Sequence, residues 1–363
     1  MSDTAHMRHA LRLGARGLGR TWPNPAVGCV IVARGRVVGR GWTQPGGRPH
    51  AETMALTQAG ALARGGDVYV TLEPCSHTGK TPPCAQALIA AGVGRVFVAL
   101  GDPDPRVNGQ GIAMLEAAGI EVVTDVCADE ARAAQVGFLS RVTKGRPAVT
   151  LKLALSWDGR IATATGESQW ITGPRARARV HAMRAHHDAV MIGAGTARAD
   201  DPMLTVRDLG VDHQPVRVVL SRRLDISTDG KLARSARDVP LWLVHGPDAP
   251  QDVRAVWRDL GARLFEVPVT TGQVDLSATL AALGEAGLTR VFCEGGGTLA
   301  ASVLHHGVAD QVAVFSAGFA IGAEGMPGIG ALGLDRLSQA QRYRLEGVEV
   351  LGEDTLSLWS SEV

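Results

Sequence analysis

The residues best equipped for chemistry are His50, Cys75 and Cys84, one imidazole and two thiols in the first quarter of the chain. That donor set suits zinc, and three protein ligands leave a fourth tetrahedral position free for water, as a catalytic metal needs. Glu52 stands two residues beyond His50. It is too near to share the ion and well placed to move protons to and from a bound water. The segment joining the thiols adds His77 and Lys80, a polar group and a cation for a charged substrate. Two plainer readings stand beside this one: unligated buried thiols, or a structural zinc closed by a fourth ligand, for which His77 is the obvious candidate.

The C-terminal half offers a second set. Gly295-Gly296-Gly297 falls between a strand-like run and a helix-like one. Glycine there lets the backbone approach a pyrophosphate, with helix N–H groups facing it. The run 216–220 ends in Ser221-Arg222-Arg223. An acid at such a strand end commonly holds the ribose of NAD, so cations favour the 2′-phosphate of NADP. Lys152, Asp200 and Glu294 fall near predicted strand ends, where a hydride acceptor needs a proton source. Nothing in their spacing chooses between Lys152 and Asp200. Arg184 and Arg207 could grip a phosphate through paired N–H bonds. Taken singly each is a surface charge, and His186, His187, His305 and His306 read as helix-end residues.

These groups need a frame. Asp3 or Thr4 caps a predicted first helix reaching Leu18, and runs at 26–32 and 36–40 predict a hairpin. A helix through Ala63 carries His50 and Glu52, while strands at 67–72 and 95–100 deliver the Cys75 loop and Asp102. Pro82 and Pro83 open a helix running to Ala91, because proline is tolerated in a first turn. Cys84 then lies at a helix N-terminus, whose dipole favours the thiolate. A helix at 111–118, a strand at 120–123 and a helix at 129–142 complete a mostly parallel, helix-covered sheet, with ligands expected at the C-terminal strand ends. Lys144-Gly145-Arg146-Pro147 interrupts both periodicities, which sets domains at residues 1–146 and 147–363. Beyond it, strands are expected at 148–155, 188–192, 216–220 and 290–293, with helices at 174–186 and 299–305. The strand at 188–192 ends in Gly193-Ala194-Gly195-Thr196, and residues 342–359 read as one or two edge strands.

At 363 residues, 45% hydrophobic and 20% charged, the chain has room for two cores. A net charge of +1 gives no electrostatic reason for a nucleic-acid or membrane partner, and the apolar runs are only strand-sized. Cys29, Cys75, Cys84, Cys127 and Cys293 are too scattered for a disulfide framework. With no signal-like apolar core in residues 1–10, a reduced, cytoplasmic setting is expected.

Several longer motifs follow one another in order. They are Thr21-Trp22-Pro23-Asn24-Pro25-Ala26-Val27-Gly28, Pro49-His50-Ala51-Glu52, Tyr69-Val70-Thr71-Leu72-Glu73-Pro74-Cys75 and Thr81-Pro82-Pro83-Cys84. Then come Lys152 to Gly159, Gly166-Glu167-Ser168-Gln169-Trp170-Ile171-Thr172, Gly193 to Pro202 and Glu294-Gly295-Gly296. Over nearly the whole chain they resemble the bifunctional deaminase-reductases of riboflavin biosynthesis. The first group is also similar to the zinc-deaminase pattern of His-x-Glu before two cysteines, except that eight residues separate the thiols where two are usual.

The resemblance implies an α/β chain: a cytidine-deaminase-like three-layer domain, then a dihydrofolate-reductase-like one. It implies Zn2+-dependent removal of the 2-amino group of the diaminopyrimidinone ribosyl 5′-phosphate. NADPH-dependent reduction of the ribosyl group to ribityl would follow, in a homodimer formed through the reductase half. By position, Asn24, His77, Lys80 and Asp102 would contact the deaminase substrate. Ala154, Trp170, Thr196, Asp200, Ser221 and the 296–302 turn, with Gly296, Gly297 and Thr298, would line the cofactor site. Ser168, Arg184, Leu204, Arg207 and Glu294 would hold the reductase substrate. The chain departs from the family at Thr43, where histidine is frequent, at Gln110 and Trp157, where lysine and leucine are usual, and across Gln135-Val136-Gly137-Phe138. The rival readings are a free nucleoside or RNA-base deaminase with an unrelated second domain, and a non-catalytic zinc module that senses a nucleotide.

Overall fold

The computed structural model describes residues 2–77 and 82–361, so Lys80 lies outside the described residues. The chain divides into two compact units, one ending at Gly145 and one starting at Arg146. Among the described residues no helix is long and apolar enough to cross a membrane.

The first unit opens with α1 (Asp3–Gly14), capped by Ser2 rather than Asp3 or Thr4: the Ser2 hydroxyl accepts from the Ala5 N–H. Strands β1 (Gly28–Ala33) and β2 (Arg36–Trp42) form the expected hairpin. Then come α2 (Ala51–Ala59), β3 (Asp67–Val70), α3 (Cys84–Ala91), β4 (Arg95–Val98), α4 (Gln110–Ala117) and β5 (Glu121–Val123). The helix expected at 129–142 is broken at Gln135 into α5 (Ala128–Ala134) and α6 (Val136–Lys144). There the Gln135 amide turns inward and donates to Ala26 O at 2.8 Å.

The five strands lie in the order β2-β1-β3-β4-β5. Only β3, β4 and β5 run parallel, because β1 is antiparallel to both neighbours. The sheet is therefore more mixed than expected. Its hairpin closes on Arg34-Gly35 with φ of 51° and 73°, a two-residue turn that no parallel pair can use. Met7 and Ala10 of α1, Ala51 and Ala55 of α2, and Leu88 of α3 close over Val30, Val68 and Val96 in one core. Gly41 lets α2 approach β2, since a Cβ there would stand 2.0 Å from Ala51 O. That close contact fixes the residue between His50 and Glu52.

The second unit starts with β6 (Ala148–Ser156), β7 (Arg160–Ala162), α7 (Pro174–Ala185), β8 (Ala189–Gly193), α8 (Ala194–Asp200) and β9 (Val216–Leu220). It continues with α9 (Lys231–Arg234), β10 (Leu241–His245), α10 (Gln251–Asp259), β11 (Arg263–Glu266), β12 (Val269–Thr270), β13 (Gln273–Val274) and α11 (Leu276–Glu285). Last are β14 (Arg290–Cys293), α12 (Gly297–His305), β15 (Ala309–Ala317), β16 (Met326–Pro327), β17 (Tyr343–Leu351) and β18 (Asp354–Ser361). Nine of these strands form one sheet, ordered β11-β10-β9-β8-β14-β6-β15-β18-β17. It is parallel as far as β15 and antiparallel beyond. Strand β8 ends at Gly193 and helix α8 begins directly at Ala194, so Ala194-Gly195-Thr196, expected as the strand's end, is the first turn of a helix.

His187, expected to be a plain helix-end residue, is buried. Its Nδ1 donates to Met183 O at 2.7 Å, and its Nε2 accepts from the Thr150 hydroxyl at 2.9 Å. Burial pushes its pKa from 6.5 down to about 3. A ring held neutral in the fold leaves stability whole above its unfolded pKa; as pH falls from there toward the folded value, about 1.4 kcal/mol is lost per pH unit. Between about pH 6.5 and 5, the second unit should lose about 2 kcal/mol more in the wild-type protein than in His187→Gln, read from urea midpoints. Equal losses would mean that the ring is already protonated in the fold.

Candidate active sites

Beyond the C-terminal ends of the parallel strands β3 and β4, the chain reaches Cys75 and Asp102 respectively. Helix α2 begins directly after His50, and α3 begins at Cys84 with Pro83 as its cap. These starts bring the three donors together. His50 Nδ1 lies 3.3 Å from Cys84 Sγ and 3.6 Å from Cys75 Sγ, and all three ligand atoms fall within 4.8 Å of one another. The Cys84 amide donates to Cys75 Sγ at 3.3 Å. The adjoining Cys84 thiol, then the His50 ring, pull the Cys75 thiol down to about 4 against the effect of burial. Cys84 is pushed up, by Cys75 first and by burial second, because adjacent thiols resist ionising together. A divalent cation between them removes that conflict, so the donor set fits zinc.

No fourth side chain joins this group among the described residues. His77, which the structural-zinc reading requires, is outside it. Its Nδ1 is buried with no hydrogen-bond partner among the described residues, a polar atom suited to a ligand. Glu52 is 3% exposed and hydrogen-bonds Cys84. Burial pushes its carboxyl up to about 7, against the pull of His50. Asp102 is also buried, and burial pushes it up to about 6. Asn24 sits so close to Gly47 that a Cβ on that glycine would stand 1.8 Å from Asn24 Nδ2. Thr43 is buried, and its hydroxyl accepts from the Val27 N–H at 3.0 Å. It ties the end of β2 to the segment before β1, so the family departure there is occupied by a fold contact.

In the second unit a cleft of 1490 Å³ gathers the candidate catalytic, cofactor and substrate residues of that half. Lys152, Ala154, Ser168, Trp170, Arg184, Thr196 and Asp200 line it, with Leu204, Arg207, Ser221, Glu294, Gly296, Gly297 and Thr298. It opens where the adjacent parallel strands β9, β8, β14 and β6 present their side chains and C-terminal ends. Gly296 caps α12 and donates its N–H to Thr196 Oγ1 at 3.2 Å. Gly297 permits close packing, since a Cβ there would meet Pro327 O at 2.7 Å. The glycine-rich start of α12, with Thr196, Ser221 and the exposed Trp170 indole lining the same cleft, fits the phosphates and rings of a dinucleotide.

Two expectations change in detail. Arg184 Nε and Nη2 donate to Glu294 at 2.5 and 3.0 Å, and Nη1 donates to Thr205 O at 2.9 Å. Its donors are largely engaged inside the protein, so it anchors Glu294 more than it offers a free hand to phosphate. Arg222 is similarly engaged by Asp248 at 2.9 Å, leaving Arg223 the more exposed cation. Lys152 Nζ stands 3.8 Å from Glu294 Oε2. Burial pushes the Lys152 amine down; burial also works on Glu294, but Arg184 and Lys152 outweigh it and hold that carboxyl below its usual value. The reading from sequence passed over two residues. Glu73 appeared only as part of a motif, and Arg177, stacked 4.8 Å over Trp170, showed no signal beyond its charge.

A His-Cys-Cys centre beside a buried glutamate, followed by a cleft shaped for a dinucleotide on a largely parallel sheet, defines a zinc deaminase joined to a nucleotide-dependent reductase. Residues 1–100 match the cytidine and deoxycytidylate deaminase zinc-binding region, and residues 147–357 match the RibD C-terminal domain. The chain is 38% identical to riboflavin biosynthesis protein RibD of Escherichia coli over 98% of both chains. It is 39% identical to that of Aquifex aeolicus over 97% of this chain and 96% of the other. Its structure is similar to Acinetobacter baumannii RibD, with a TM-score of 0.89 and 38% identity over 99% of both chains. A Thermotoga maritima diaminohydroxyphosphoribosylaminopyrimidine deaminase/5-amino-6-(5-phosphoribosylamino)uracil reductase gives a TM-score of 0.86 at 33% identity, over 99% of this chain and 98% of that one. The chain belongs to the RibD family, the bifunctional deaminase-reductases of riboflavin biosynthesis. Its cofactors are zinc in the first domain and NADPH in the second.

Proposed function

We propose that the first unit releases the 2-amino group of the diaminopyrimidinone ribosyl 5′-phosphate as ammonia, and that the second reduces the opened, imine form of the product to its ribityl derivative. The buried Glu52 beside the converged His50, Cys75 and Cys84 is the observation that carries the first step. His50, Cys75 and Cys84 would hold the zinc, which when bound would supply the Lewis acidity that activates a water. Glu52 takes the proton from that water and hands it to the departing amino group, acting as base and then as acid. Asn24, His77, Lys80 and Asp102 hold the pyrimidine and its ribosyl phosphate, His77 through its buried Nδ1.

In the second unit NADPH, when bound, supplies a hydride. Ala154, Trp170, Thr196, Asp200, Ser221, Gly296, Gly297 and Thr298 hold the cofactor, while Ser168, Leu204 and Arg207, with Arg184 and Glu294, hold the substrate. Reduction of an imine also needs a proton at nitrogen, and Lys152 gives it. Its amine is buried and pushed down, which makes it a readier donor than an exposed lysine. Asp200 then acts on the cofactor side of the cleft. A dimer through the second unit suits the outer strand β17, where Val348 and Val350 are exposed at a sheet edge. The cytoplasm suits the five unpaired thiols.

A coupled assay with the diamino substrate and NADPH tests both steps. Chelating the zinc should abolish ammonia release and leave NADPH oxidation on the deaminated pyrimidine intact. Asp200→Asn should slow hydride transfer about tenfold, a barrier change of about 1.4 kcal/mol, without altering ammonia release. Undiminished ammonia release from zinc-free protein would overturn zinc's part in the deaminase step, and no release from the zinc-loaded protein would overturn the step itself.

A further inference from the structure

Glu73 lies between β3 and Cys75, is 4% exposed, and takes no part in the steps above. Four backbone amides converge on its carboxylate. Oε2 accepts from the N–H of Asp102 at 3.2 Å and of Gly109 at 3.0 Å. Oε1 accepts from Gly111 at 2.9 Å and Ile112 at 3.3 Å. Its own N–H donates to Leu100 O at 2.8 Å. Gly111 makes this approach possible, since a Cβ there would stand 2.0 Å from Pro74 O and 3.2 Å from Glu73 Oε1.

One side chain thus joins three pieces: the segment running to Cys75, the strand end carrying Asp102, and the first turn of α4. Burying a carboxylate is costly, and amide donors offset that cost only while all three pieces keep their places. Asp102 is the piece with chemistry on it. Its backbone is held by Glu73, and its Oδ1 accepts from Asp104 N–H at 2.9 Å. Its Oδ2 takes no hydrogen bond among the described residues, which leaves that oxygen available to a ligand.

We propose that Glu73 is a positioning residue for deamination: it sets where Asp102 stands relative to the His50, Cys75 and Cys84 centre, so its loss weakens substrate binding while zinc remains. The proposal rests on the deaminase reading with Asp102 as a substrate contact. The test uses full-length, zinc-loaded protein. Glu73→Gln keeps the shape but turns an NH2 toward two of the four amides. Its KM for the diamino substrate should rise at least about tenfold, with kcat much less affected and zinc content and NADPH oxidation unchanged. Glu73→Asp, which keeps the charge on a shorter arm, should recover part of that loss. Combined with Asp102→Asn, Glu73→Gln should add little, because two residues acting through one contact are not additive. A wild-type KM in Glu73→Gln, activity lost in step with zinc, or additive losses in the double variant would each overturn the proposal. If Glu73→Gln does not fold, Glu73→Asp paired with Asp102→Asn decides by the same additivity. A wild-type protein that releases no ammonia would instead strike the deaminase reading itself.

Discussion

Glu52→Gln is expected to lower ammonia release by about a thousandfold, within the usual range for a general acid-base residue. Glutamine has the same shape, so His50, Cys75 and Cys84 should stay converged and zinc content should not change. What disappears is the capacity to accept a proton. Glu52 itself is only 3% exposed, so bulk water has little access to stand in for it as base. NADPH oxidation on the deaminated pyrimidine should stay at the wild-type rate, because the second unit has its own cleft. Measuring ammonia, zinc and NADPH on one preparation separates the outcomes. A variant that retains most of its ammonia release would show that the carboxyl is not the proton carrier; one that loses zinc would show a structural part instead.

Lys152→Met should lower the rate of the reductive step by at least about a hundredfold, with ammonia release unaffected. Methionine fills the same volume, and Arg184 remains to hold Glu294 through two N–H bonds. The loss should therefore appear in kcat without unfolding. Removing a buried amine relieves a desolvation cost, so the midpoint of unfolding should hold or rise. A kcat close to wild type would move the proton-donating role to Asp200.

The two sites differed in how much the chain disclosed before it folded. The metal donors and Glu52 were legible because imidazole and thiol are scarce side chains, and their order beside Pro82 and Pro83 matched helix starts. The strands leading to Cys75 and Asp102 were legible as short β-branched runs, as were β6, β8, β9 and β14. Strand β15 was passed over although it lies inside the sheet, since Asp310 and Gln311 break its apolar run near the start. Asp310 tolerates that place because Arg146 and the Val149 N–H donate to it. The break at Gln135 and the capping by Ser2 were equally hidden, as each depends on which backbone group lies within reach.

By itself the sequence determined which atoms can hold zinc, which carboxyl stands beside them, and that a glycine-rich turn precedes a helix in the second half. Those properties belong to side-chain type and near-neighbour spacing. Tertiary structure decided what each charged group does. Arg184 meets Glu294 across 110 residues of chain, and Glu73 meets the α4 amides across 38 and 39. Contacts that long depend on sheet order and helix placement, and burial there sets whether a carboxyl binds a ligand, moves a proton or braces a loop.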